Sequence, residues 1–291
     1  MRASPSAWIL YLAITIPVLA QNSSDFAGCP VGTASLASGQ DQFNATKSAE
    51  FSLHQALGSW YLSFGLRDTR GDHLDSESFS TVQWLEIMLS VPESLIGSRQ
   101  EDDTEYCMYR FPARNETVDS DEITGSCHGV LSDDCVEAME NGPVVNDDGC
   151  PSIDVREKCG FNWETSTSAP SNFTNGTCAI KSIPNIDLPN GYRTYTGRLS
   201  SGILPADEEL DDFERYDLRT RQTVPILITA RRSQADHAEQ LTRALCLAPN
   251  EIVEGSRKPE NGGERISMSS TLLFGVVVTA IVLEGFQIRP L

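Results

Sequence analysis

Two carboxylates are the residues of this sequence best suited to breaking a bond. Glu86 stands two residues after Trp84, and Glu105 immediately precedes Tyr106. A glycosidase needs such a pair, one carboxyl to protonate the leaving oxygen and one to attack or activate water, beside aromatics that stack on the sugar ring. Chance weakens the signal, because the chain holds 41 Asp and Glu. A glutamate on a half-buried strand also belongs by default to the solvated face, which is the stronger expectation for Glu86. The four histidines, His54, His73, His128 and His237, bring no partner motif with them. No G-x-S-x-G places a serine on a nucleophile turn and no H-E-x-x-H offers a zinc site. The sequence therefore assigns no catalytic residue, metal ligand or cofactor.

Oxidation is the chemistry the chain signals most clearly. Its eight cysteines are Cys29, Cys107, Cys127, Cys135, Cys150, Cys159, Cys178 and Cys246, an even number without any C-x-x-C. That pattern predicts four disulfides in an oxidising compartment rather than a zinc ribbon or a redox pair. Six of the eight lie between 107 and 178, a number that can satisfy itself as three local bridges. Cys29 and Cys246 would then pair with each other, although a strand-borne Cys107 could take either as partner. Five N-x-S/T sequons, at Asn22, Asn44, Asn115, Asn172 and Asn175, add a glycosylation signal. The last two lie in Thr165–Thr177, where seven of 13 residues are Ser or Thr, the composition of an exposed sugar-bearing loop.

Both ends point to a membrane route. Arg2 followed by the uncharged run Ala7–Leu19, with Val18 and Ala20 as small residues before a cut, predicts a signal peptide over residues 1–20. Near the other end, Thr271–Leu283 has nine Leu, Ile, Val or Phe among 13 residues, and the uncharged stretch extends back to Ile266. Two modes of attachment follow. Asn261-Gly262-Gly263, a polar spacer and an apolar tail make the order of a GPI signal with Asn261 as attachment candidate. The tail 284–291, which contains Glu284 and Arg289, is instead what a single-pass span leaves behind. The resulting organisation is a signal (1–20), an ectodomain (21–250), a stalk (251–265), a membrane segment or GPI signal (266–283) and a tail.

The elements that would position these groups are mostly strands. Trp60, Leu62, Phe64 and Leu66 alternate with Tyr61, Ser63 and Gly65, and Leu85, Ile87, Leu89 and Val91 alternate with Val82, Trp84, Glu86 and Met88. Tyr106–Phe111, Tyr192–Thr196 and Val224–Ala230 are further strands, with Pro225 restricting the last to an edge or to the start of its ladder. Two helices are predicted. Ser132 caps one over Asp133–Glu140, and Ser233 with Asp236 forms a capping box for a second running through Cys246 over Ala238, Leu241, Ala244 and Leu245. No internal repeat is visible. The fold expected is mainly β with a few short helices, a β-sandwich-like ectodomain with a disulfide-rich acidic segment.

Charge narrows the partners. The net charge is −19, and residues 101–150 alone hold fourteen acids against Arg110 and Arg114, a local net of −12. A nucleic-acid binder is excluded by that balance. Adjacent pairs such as Asp133-Asp134 and Asp147-Asp148 raise calcium, but without a D-x-[DN]-x-[DN]-G loop they read as a solvated acidic surface. Arg70-Gly71-Asp72 is an adhesion-type tripeptide only if a loop displays it. The expectation is a non-enzymatic, membrane-attached cell-surface glycoprotein in the secretory pathway, whose partner is an extracellular ligand or a cell-wall glycan. A tethered glycan-active hydrolase using a carboxylate pair is the alternative.

Overall fold

The structure, a computed structural model, describes residues 29, 42–71, 79–98, 104–114, 125–142, 145, 150–162, 165–166, 177–180, 183–205, 213–233 and 238–260. The signal segment, Asn22, Asn115, Asn172, Asn175, Asn261, His73, His237, Asp72, the Asp147-Asp148 pair and residues 261–291 lie outside them. No helix among the described residues is long and apolar enough to cross a membrane.

The period-2 patterns form strands. In chain order these are β1 (Ala45–Phe51), β2 (Trp60–Arg70), β3 (Phe79–Pro92), β4 (Thr104–Arg110), β5 (Thr165–Ser166), β6 (Tyr192–Pro205), β7 (Val224–Ser233), β8 (Ala238–Leu247) and β9 (Glu251–Ile252). Three short helices accompany them: α1 (Asp133–Glu140), α2 (Arg156–Cys159) and α3 (Glu214–Arg219). One sheet has the order β6-β3-β2-β1-β9 and the other β5-β4-β7-β8, and every named pairing is antiparallel. The fold is thus mainly β, with two antiparallel sheets, few short helices and four disulfides.

Register carries each apolar face into one layer. Ala49, Leu62, Leu89 and Tyr195 lie side by side across the first sheet. Tyr106, Ala230 and Leu241 do so across the second. Between them Trp60, Phe64, Ile87, Ile226, Ile228 and Leu245 complete one core that both sheets share. Burying a side chain of this size is worth about 1.5–3 kcal/mol, so the alternation fixes which face turns inward. Trp60 anchors this layer, edge-on to Phe51 and Tyr106, with its indole N–H donating to the Leu57 carbonyl at 3.2 Å.

Each sheet is covered on its outer face too. On the second, α1 and the cysteine-rich segment form another apolar cluster around Tyr109, Phe111, Val136, Met139 and Leu227. Helix α1 begins as expected: the Ser132 side chain accepts from Cys135 N–H, and Cys135 and Met139 are buried. On the first sheet, Phe43, Met88, Ile183 and Ile186 pack together. Gly65 makes that possible, since a Cβ there would sit 2.4 Å from the Phe43 ring. Hydroxyls under the cover pair off, Ser48 with Ser63 and Ser90 with Thr194, each at 2.8 Å.

Three expectations are corrected. The segment after Ser233 is strand β8, paired with β7 from Ser233↔Ala238 to Val224↔Leu247. Leu241, Leu245 and Leu247 enter the shared core while Ala244 and Cys246 enter the outer cluster. With both faces buried, apolar residues lose their alternation and mimic helical spacing. Cys246 therefore sits on a strand, and it bonds Cys127 rather than Cys29. The four bridges are Cys29–Cys178, Cys107–Cys150, Cys127–Cys246 and Cys135–Cys159. Only two close within the 107–178 cluster, because β8 delivers Cys246 beside the turn before α1, where Cys246 N–H donates to the Gly125 carbonyl at 3.0 Å. Finally, Glu251–Glu260, expected as stalk, is built into the fold: β9 pairs with β1 through Ala45↔Ile252 and Thr46↔Glu251. Pro225 sits one residue inside β7, where its carbonyl accepts from Phe111 N–H at the end of the ladder.

Candidate functional site

Glu86 and Glu105 are not brought together. Glu86 lies on β3 between Leu85 and Ile87, which enter the shared core, so its side chain belongs to the outer face of the first sheet. Glu105 precedes Tyr106, another core residue, and so belongs to the outer face of the second. Two sheets and a core about 10 Å thick separate them. Glu105 instead meets the Arg231 guanidinium at 3.2 Å across the β4–β7 register. Nor is Glu86 solvated, as a half-buried strand would suggest: it is 2% exposed, on the same face of β3 as Met88, which packs with Phe43, Ile183 and Ile186. Sequence alternation told inside from outside correctly, but it could not show that the outside is roofed.

The remaining sequence candidates occupy separate surfaces. His128 Nδ1 lies 3.0 Å from an Asp133 carboxylate oxygen, both exposed, at the start of α1. His54 Nδ1 accepts from Ala56 N–H at 3.0 Å and caps a short turn. Neither imidazole has a nucleophile assigned to it by this geometry. Among the described residues no three His, Cys, Asp or Glu side chains converge as a metal-holding group. Arg70 ends strand β2 and Gly71 follows it, with the Arg70 side chain engaged by Asp68. Asn44, the one described sequon asparagine, is half-buried and accepts from Asp68 N–H at 2.7 Å through its side-chain oxygen. N-glycosylation uses the amide nitrogen and leaves that acceptor in place.

Polar groups do converge at one end of the first sheet, where sequence reasoning saw nothing. Asp68, 6% exposed, accepts from Arg70 and, at 2.8 Å, from the Gln83 amide. The Arg70 guanidinium stacks on the Phe213 ring at 3.7 Å, and Arg257 approaches the same ring at 4.3 Å. Arg257 then meets Asp217 at 3.1 Å and Glu260 at 3.2 Å, while Glu260 N–H donates to Asp217 at 3.2 Å. Tyr216 closes the ring of contacts, its hydroxyl donating to the Arg257 carbonyl at 2.9 Å. Burial, reinforced by the Asp68 and Asp217 charges, pushes the Tyr216 phenol up to about 12. Asn185 at φ 57°, a left-handed conformation asparagine tolerates, donates from its side chain to the carbonyls of Glu251 and Ile252. This is a clamp. Every carboxylate in it meets a cation or an N–H, so it holds the segment 251–260 against the first sheet and α3 rather than presenting reactive groups.

An aromatic pair lies elsewhere on the outer face of the first sheet. The Tyr61 and Tyr192 rings meet edge-to-face at 5.2 Å. The Tyr192 hydroxyl is committed to the Ser59 carbonyl at 3.0 Å. Burial first, then the neighbouring Glu50 carboxylate, pushes the Tyr61 phenol up to about 12. Rings locked at 81° to one another serve packing better than flat stacking on a sugar. Comparison with known proteins finds no family model, no curated protein and no solved structure that matches this chain.

Proposed function

We propose that this chain is a non-enzymatic cell-surface glycoprotein, carried through the secretory pathway and attached to the membrane by its C-terminal segment. The observation that carries the reading is the pairing of all eight cysteines in four bridges. Such density is compatible with the oxidising compartments outside the cytosol. The bridges also fall where an exposed domain needs them, since Cys107–Cys150 and Cys135–Cys159 staple the layer over the second sheet and Cys29–Cys178 joins Cys29 to a residue bridged to β6 at Thr194. The signal-like N-terminus, five sequons and the apolar run from Ile266 to Leu283 support the same reading. The separation of Glu86 from Glu105 favours it over the tethered hydrolase, whose carboxylates must flank one sugar. What the surface binds is an extracellular ligand or a cell-wall glycan.

The test is made on producing cells. Impermeant biotinylation should label the glycosylated protein, and peptide-N-glycosidase should lower its mass. Phosphatidylinositol-specific phospholipase should then release it if the anchor is attached at Asn261. Retention with a detectable C-terminal epitope selects the single-pass mode instead. Recovery of unglycosylated protein with free thiols in the cytosol would overturn the proposal.

A further inference from the structure

Two Asn-Gly steps lie among the described residues, and the fold holds them differently. Asn141-Gly142 ends α1, and Asn190-Gly191 leads into β6. All four residues are exposed. The steps at Asn175 and Asn261 lie outside the described residues. Such a step reacts without an enzyme. The glycine backbone nitrogen attacks the asparagine Cγ, the bond from Cγ to the side-chain nitrogen breaks, and ammonia leaves with the proton of the attacking nitrogen. Water then opens the resulting succinimide at either carbonyl, giving aspartate or, more often, isoaspartate. Solvent supplies the water, and nothing is oxidised or reduced. Glycine favours the attack because no Cβ shields its nitrogen.

Ring closure makes one demand on the backbone: the glycine nitrogen must eclipse the asparagine Cβ about the Cα–C bond. Asn141 is held away from that arrangement. It is the C-cap of α1 at φ −92° and ψ −1°, and its N–H donates to the Glu137 carbonyl at 2.9 Å. At that ψ the Gly142 nitrogen eclipses the backbone nitrogen of Asn141 instead of its Cβ. Gly142 is also hemmed in, since an added Cβ would lie 3.0 Å from the Ala138 carbonyl oxygen. Closing the ring there requires the end of α1 to unwind, against buried Met139 and the Cys135–Cys159 bridge. Asn190 carries no such restraint. It belongs to no helix or strand, and its side-chain amide is tied to no partner among the described residues. Gly191 stands at φ 80° in open space, where an added Cβ would meet nothing within 4 Å. Its carbonyl is fixed by Glu93 N–H at 2.6 Å. The nucleophile is thus anchored from its far side while the asparagine is free to turn onto it.

We infer that Asn190 is a self-modification site, converted through the Gly191 succinimide to isoaspartate and aspartate in the folded protein, while α1 protects Asn141. The conversion acts on the first sheet. Either product places a new carboxylate near exposed Glu93, in a chain of net charge −19. Isoaspartate also adds one atom to the main chain just before Pro92↔Tyr192 and Val91↔Arg193, the pairs at which β6 joins β3. Tyr192 follows directly, with its hydroxyl on the Ser59 carbonyl and its ring on Tyr61, so that contact is the first to feel the insertion.

The experiment incubates the full chain, purified from producing cells, in mildly alkaline buffer and follows both steps by peptide mapping. Conversion at Asn190 should run several-fold faster than at Asn141. In the same chain reduced and unfolded in denaturant, the two rates should converge. Isoaspartyl methyltransferase should label the peptide that carries residue 190 in aged folded protein. The variant Asn190→Gln, which keeps an exposed amide on a longer arm, should lose that label and leave the slow conversion at Asn141 unchanged. Equal conversion of the two steps in the folded protein, or none at Asn190, would overturn the inference. So would a preference for Asn190 that persists undiminished in the unfolded chain, because local sequence rather than the fold would then be its source.

Discussion

At the scale of single residues, Gly65 decides how the first sheet is covered. A methyl group at this position would meet three carbons of the Phe43 ring at 2.4–2.6 Å, so the ring must tilt away and expose Met88 and Ile183 beneath it. Gly65→Ala should cost about 1–3 kcal/mol, the usual penalty for overpacking. Much of that loss should be recovered in the Gly65→Ala, Phe43→Leu double variant, and denaturant unfolding of the four-member cycle measures the coupling. Full additivity would mean that the ring and the glycine are independent. The tyrosines make a second prediction. Tyr61, Tyr109 and Tyr216 are each pushed up to about 12, with burial as the first cause. Below the unfolded value near 10 both states hold these protons, and folding keeps its full stability. Between 10 and 12 the unfolded chain ionises first, so stability should fall over that window. Phenolate absorbance of the native protein should lag behind that of the denatured protein. Coincident titrations would contradict the burial.

Among the elements, the legible strands alternate large apolar side chains with smaller or polar ones, even where, as in β2 and β3, both faces are buried. β2 and β3 follow the alternation of Trp60–Leu66 and Leu85–Val91, and α1 follows its Ser132 cap, because in each a polar side contrasts with an apolar one. β8 was unreadable for the opposite reason. Leu241, Leu245 and Leu247 serve one core while Ala244 and Cys246 serve another, and a run apolar on both sides has no period to detect. The clamp at Asp217 and Arg257 was equally hidden, since its partners are 40 residues apart and only the β9–β1 pairing brings them together. Misplacing β8 misplaced Cys246, and with it the pairing of Cys29. The bridges now differ in what they should contribute. Cys127–Cys246 closes a separation of 119 residues and Cys135–Cys159 one of 24. The chain-entropy model gives about 5 and about 3.5 kcal/mol respectively. Replacing both cysteines of the longer bridge by alanine should therefore lower the urea midpoint more than replacing both of the shorter. The reverse order would show that native packing of α1 on α2, rather than loop closure, sets the value of these bridges.

Over the whole molecule the dominant load is charge. A chain of net charge −19 repels itself when folded, and α1 lies on the outer side of the second sheet with Asp133, Asp134 and Glu137 all exposed. Two effects compete along that helix. Asp133 and Asp134 sit in its first turn, where the dipole favours an anion by roughly 0.3–1 kcal/mol, so removing either would sacrifice a local gain. Glu137 lies beyond the first turn and opposes Asp133 at i, i+4, a like-charge pair that costs a few tenths of a kcal/mol. Glu137→Lys keeps the favourable anions, converts the repulsion into an attraction and brings the net charge from −19 to about −17. It should stabilise the fold by about 0.5–1 kcal/mol at low ionic strength. Both contributions act through solvent and are screened over about 10 Å at 0.1 M salt, so the gain should shrink steadily as salt is added, while the unaltered protein gains stability over the same range. Thermal unfolding of both proteins across a salt series tests this directly. A variant that is no more stable at low salt, or whose advantage is independent of salt, would mean that the acidic layer is already neutralised by its surroundings. Its charge would then have to be explained by what it repels outside the molecule rather than by what it costs within.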